Sequence, residues 1–320
     1  MLFRRINPIS QRPLTSVSYS RNMSLYSNQG APKRRSGPPE PQRQGHHKLA
    51  LFLVTLILVF VGAHVLWSKH VSAEVAASHQ QQLQIAAENT RKAATFAQEV
   101  NELIAANPAI TFSVATITAT DGLQQYGVTT TAFDGASTGK LLTAADYLHH
   151  VETGSATLRQ QIEGDTAEDL LDKMVVNSDD TAWADLNDYL GNDDLSNYAA
   201  TINFTNYDPD ANTFTAGDVA QLLHKLYSKQ LLNPADTSLL LGYLKQANYR
   251  TYIVPAVPSS DTVYHKVGLD VDNVHDAAII TNGNQSIVLV IFTDGNGTYD
   301  WENRATLMQT ITADALTAYL

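Results

Sequence analysis

No cysteine occurs in the 320 residues, so disulfides, a thiol nucleophile and a cysteine-based metal site are all excluded. Whatever folds here is stabilised by its core alone, and the length allows one large domain with appendages or two small ones. Acid is nearly missing from the start: the first 48 residues hold nine basic side chains (Arg4, Arg5, Arg12, Arg21, Lys33, Arg34, Arg35, Arg43 and Lys48) against Glu40 alone. Basic charge is scarce afterwards. Of the 21 Lys and Arg, twelve lie beyond Lys48, with 31 of the 32 acidic residues, a formal charge of −19. Such a surface repels nucleic acid and anionic membranes, and no nucleic-acid partner is expected. No internal repeat is present. The histidines, His46-His47 and His149-His150 included, show no zinc-like spacing with carboxylates, so neither metal nor cofactor is predicted.

Long apolar runs are also lacking, with one exception. Residues 49–67 are apolar apart from Thr55 and His64, close to the roughly 20 residues that cross a bilayer as a helix. The basic flank places the N-terminus in the cytoplasm by the positive-inside rule. Two other readings stay open: a signal peptide cleaved near Val71-Ser72-Ala73, and an organelle transit peptide in the Arg-rich, Ser-rich start. The organisation expected is a disordered basic cytoplasmic tail over 1–47, a transmembrane anchor over 48–67, a Gln- and Ala-rich helical stalk over 68–92, and a folded domain over 93–320.

Within that domain Phe96, Val100, Leu103 and Ile104 form a helical stripe ended by Asn107-Pro108. Residues 111–120 and 124–131 alternate around Asp121-Gly122, predicting a hairpin. Helical patterns dominate from 137 to about 246, and strands return at 263–266, 277–280 and 287–295. Strands at both ends of a helical insert predict an α+β fold: an antiparallel sheet flanked by helices plus an all-helical lobe, with a site between them.

Ser137-Thr138-Gly139-Lys140 is an S-x-x-K box at the start of a helical pattern. Three residues along a helix bring both side chains to one face, as a serine nucleophile and its amine partner require. That spacing alone also arises by chance on solvated helix faces. Two further boxes follow in order, Ser178-Asp179-Asp180 after an apolar helix at 167–176, and His265-Lys266-Val267-Gly268 in a strand-like run. With the flanks at 164–182, 215–232 and 277–304, residues 93–320 resemble the class A β-lactamases and penicillin-binding proteins, whose boxes are S-x-x-K, S-D-N and K-T-G.

The resemblance implies a serine acyl-transfer enzyme. Ser137 would be the nucleophile, and its backbone N–H with that of Leu269 would form the oxyanion hole. Lys140 would be the base or proton relay, its pKa lowered by burial and by Lys266. Ser178 would pass the proton to the leaving nitrogen. Lys266, with Val267 and Gly268, would hold the substrate carboxylate. Three departures stand out. Asp180 replaces the family's Asn, offers no N–H, and would favour a charged Lys140. Val267 replaces a hydroxyl residue, a loss that His275 or Arg304 could offset, although a solvated loop is the expected setting of His275. Residues 203–212, where the family's Ω-loop carries a deacylating Glu, contain none; Asp208 and Asp210 are the substitutes, and turn formation accounts for both.

Three functions follow. The first is a membrane-anchored hydrolase of the bacterial envelope, extracellular to its anchor, acylated at Ser137 by β-lactams or D-Ala-D-Ala-type peptides and deacylated slowly. The second is a D,D-peptidase on peptidoglycan stems. The third is a degenerate binding or sensor module without turnover.

Overall fold

The computed structural model describes residues 46–320; nearly all of the tail expected over 1–47 lies outside them. The chain divides into one unit ending at Ser72 and a second from Ala73 to Leu320. The first element, α1, runs His46–Ala106 and includes a stretch long and apolar enough to cross a membrane. Anchor, stalk and first domain helix were three separate expectations, yet they share one helix. Residues 46–106 hold no proline and a single glycine, Gly62, so nothing local stops the helix before Pro108.

The second unit centres on a five-stranded antiparallel sheet in the order β2-β1-β9-β8-β7. Its strands are β1 (Thr111–Thr118), β2 (Gly122–Gly127), β7 (Thr262–Leu269), β8 (Asn273–Asn282) and β9 (Gln285–Asp294). Both faces are covered, and β9 accordingly carries an unbroken apolar run from Ile287 to Phe292. One face packs Phe96 and Val100 of α1 against Met308, Ile311 and Ala315 of the closing helix α8 (Trp301–Tyr319). The other packs on the helical insert.

The insert opens with a two-residue strand β3 (Phe133–Asp134) and a 3₁₀ turn at Ala136–Gly139, which leads into α2 (Lys140–Thr153). A small hairpin of β4 (Gln161–Ile162) and β5 (Asp165–Thr166) follows. Next come α3 (Ala167–Val176), α4 (Asp180–Leu190) and α5 (Asn192–Thr201). Strand β6 (Thr213–Phe214) pairs back with β3, ahead of α6 (Ala216–Tyr227) and α7 (Pro234–Gln246). Side chains written into the sequence start these helices: Thr166, Asp179, Thr215 and Asn233 each accept a backbone N–H from the first turn, and Thr215 with Asp218 completes a capping box. The α+β architecture with a sheet, flanking helices and a helical lobe is therefore the one the sequence predicts.

Candidate active site

Two backbone devices set the turn that carries Ser137. Asp134 Oδ1 accepts the Ala136 N–H at 2.9 Å, and Ala136 is held at φ 43°, a left-handed conformation that costs a non-glycine residue about 1 kcal/mol or more. Beneath the turn runs β7, one of the two edge strands of the sheet. A Cβ at Gly268 would lie 2.8 Å from the Gly135 carbonyl oxygen, so this close approach requires glycine.

On that turn Ser137 is half-buried. Lys140, at the first residue of α2, is fully buried and donates to Ser137 Oγ at 2.7 Å and to Asp180 Oδ1 at 2.6 Å. Its ammonium also stands 4.4 Å over the Trp183 ring. Burial lowers the Lys140 pKa, against the opposing hydrogen bond and charge of Asp180. The aspartate was expected to keep the lysine charged, and it does pull that way, but burial outweighs it because Asp180 is 85% exposed and its charge is screened.

The second pair comes from across the site. Lys266 Nζ donates to Ser178 Oγ at 2.7 Å and to the Val267 carbonyl at 3.1 Å. Ser178 adopts φ 61° between α3 and α4, a second left-handed non-glycine residue that aims a hydroxyl into the site. Burial, then repulsion from Lys140, lowers the Lys266 pKa to about 7. The site thus holds two hydrogen-bonded groups, Ser137–Lys140–Asp180 and Ser178–Lys266. Leu269, the last residue of β7, pairs with Val274. The Val267 side chain turns the opposite way from Lys266, into the core packed against α1 and α8, so what Val267 offers toward the site is backbone.

Two expectations need correction. His275 is not a solvated loop residue: it lies fully buried in β8, in hydrogen-bonding contact with the Asp134 carbonyl through Nε2 and with the Thr293 N–H through Nδ1. Burial lowers its pKa to about 4; the ring is therefore neutral, with Nε2 donating and Nδ1 accepting. Arg304 is fully buried too and binds the carbonyls of Asp272 and Thr298. Neither residue replaces a missing carboxylate ligand. Asp208 and Asp210 shape their loop: Asp208 Oδ1 accepts the N–H groups of Asp210 and Ala211, and Asp210 accepts from Asn192 Nδ2.

Sequence reasoning overlooked Asn212. Its Nδ2 donates to the Ala136 carbonyl at 3.0 Å, and its backbone carbonyl accepts the Gly135 N–H at 2.9 Å, so the loop before β6 grips the turn that carries Ser137. It also overlooked Trp183, whose Nε1 donates to Thr143 Oγ1 at 2.9 Å. Both residues touch the turn from distant positions, and no local spacing announces them.

Residues 95–319 match the profile of the beta-lactamase enzyme family. No curated protein matches the chain. Among solved structures it is similar to PBP-A, with TM-score 0.65 and 21% identity, over 70% of this chain and 95% of that one. A PBP-A mutant solved as an acyl-enzyme complex with penicillin G gives 0.64 and 20%, over 70% and 96%. An ancestral class A β-lactamase gives 0.64 and 20%, over 70% and 100%.

Proposed function

This chain belongs to the beta-lactamase enzyme family, and from that premise we propose that it is a membrane-anchored serine hydrolase that forms an acyl-enzyme at Ser137 with β-lactams or D-Ala-D-Ala-type peptides. The observation that carries this reading is the hydrogen bond between Lys140 Nζ and Ser137 Oγ at 2.7 Å, on a lysine whose burial favours the neutral amine. Neutral Lys140 takes the Ser137 proton as Oγ attacks the carbonyl carbon. The developing oxyanion is held by the backbone N–H groups of Ser137 and Leu269. As the C–N bond breaks, the proton taken up by Lys140 returns to the leaving nitrogen by way of the Ser178 hydroxyl, which gives up its own proton and receives that one, and the Lys266 cation holds the substrate carboxylate.

Residues 49–67 anchor the protein in this reading, with the basic start in the cytoplasm and the domain on the envelope side. Both substrate classes use the same residues. The lack of a Glu in 203–212 favours an acyl-enzyme that persists. The test is intact-mass analysis of the full-length chain in detergent, incubated with penicillin and followed over time. A long-lived adduct on the parent and none on folded Ser137→Ala is expected; equal labelling of the variant overturns the assignment.

A further inference from the structure

Away from the nucleophile, α2 and α5 bring three metal-ligating side chains together. Asp146 and His150 lie four residues apart on α2, and Asp194 sits in the first turn of α5. One donor atom from each falls within 4.8 Å of the other two. His150 Nε2 is 2.6 Å from Asp194 Oδ2 and 3.6 Å from Asp146 Oδ1. A tetrahedral ion with bonds of about 2.0–2.1 Å spaces its ligands by ~3.3 Å, between these two separations.

An independent observation comes from Asp146 itself. It is fully buried, and neither carboxylate oxygen has a hydrogen-bond partner. A buried carboxylate without a hydrogen bond is costly. On the α5 side, the Tyr198 hydroxyl is also buried without a partner. The imidazole is prepared as a ligand: Nδ1 is 2.8 Å from Ser155 Oγ, and that hydroxyl donates to the His150 carbonyl at 3.1 Å. Without an ion Nε2–H donates to Asp194 Oδ2 at 2.6 Å; an ion that displaces this proton leaves the remaining N–H at Nδ1, donating to Ser155, the orientation that outer partners give metal-bound histidines.

We propose that Asp146, His150 and Asp194 bind one divalent cation of the Zn²⁺ class and so clamp α2, the helix that begins at Lys140, to α5. The mixed imidazole and carboxylate donors suit a borderline ion. Binding opens the His150–Asp194 contact by under ~1 Å, which the half-exposed Asp194 permits.

Co²⁺ is the probe, titrated into chelator-treated full-length protein in detergent and read by its visible absorption and by metal analysis. The expected result is one tightly held equivalent in the parent, a several-degree rise in Tm, and loss of both in His150→Ala and Asp194→Asn, each checked for native circular dichroism. Both substituted side chains are partly exposed, so folding is expected to survive. The proposal is overturned by a parent that takes up no ion, or by uptake that persists undiminished in the folded variants, which would put the ion elsewhere on the chain.

Discussion

Lys140 Nζ and Asp180 Oδ1 stand 2.6 Å apart at opposite extremes of exposure, the lysine side chain fully buried and the aspartate 85% exposed. The pair therefore joins a group that burial drives toward neutrality to a group whose charge water screens. In the proposed mechanism, with Lys140 as the base, Asp180 acts as a brake on it.

Asp180→Asn releases that brake. Both of Asp180's effects on Lys140 raise its pKa, so their removal moves the acid limb of the acylation profile to lower pH and speeds acylation several-fold on that limb. Stopped-flow acylation by a chromogenic cephalosporin across pH 5–9 reads the shift. An unchanged limb would remove Asp180 from control of the base.

In the proposed mechanism Lys266 sets the opposite limb. Its pKa is lowered from 10.5 to about 7 by burial and then by Lys140, so its charge is present below pH 7 and lost above it. Acylation by carboxylated β-lactams is expected to fall as pH rises through about 7. Lys266→Arg, which stays charged, should flatten that fall even if its bulk lowers the overall rate. Stability runs the other way. Between about 7 and 10.5 the unfolded chain holds the additional proton, so unfolding free energy rises with pH across that window. A midpoint of denaturation that falls from pH 7 to 9 in the parent, relative to Lys266→Met, would contradict the sign.

The turn itself is sterically set. A Cβ at Gly135 would sit 1.9 Å from Phe214 Cζ, and Phe214 is fully buried against Phe204 and Phe292. Gly135→Ala is expected to cost about 1–3 kcal/mol by overpacking, measured by urea denaturation. Adding Phe214→Leu should recover part of it, and strict additivity of the two changes would show that they do not meet.

Residues 167–176 were legible as a helix because their apolar spacing is local, and the S-x-x-K box was legible because a helix places i and i+3 together. The S-D-D and H-K-V-G boxes carry order but no geometry. Their union with Ser137 depends on the sheet bringing β7 beneath the turn and on Ser178 accepting a left-handed backbone. His275 misled because a lone histidine beside Asp276 reads as solvated, whereas β8 lies between two covered faces. Asn212 stayed invisible for a physical reason: its partners Ala136 and Asp134 lie more than 70 residues away, and an Asn in a polar loop looks like any turn residue.

Deacylation is where the loop matters most. Among residues 203–212 the carboxylates are Asp208 and Asp210. Asp208 is committed to the turn through two backbone N–H groups, and its isolated removal would unmake the loop rather than test a base. Asp210 is freer, with a single partner in Asn192, so it gives the sharper test. If the loop supplies no deacylating base, Asp210→Asn leaves the half-life of the Ser137 adduct within about twofold of the parent, because general-base catalysis is worth at least ~100-fold where it operates. Time-resolved intact-mass decay after removal of excess penicillin measures it. A lengthening of that size would instead assign Asp210 to the attacking water and make this protein a β-lactamase with a relocated base.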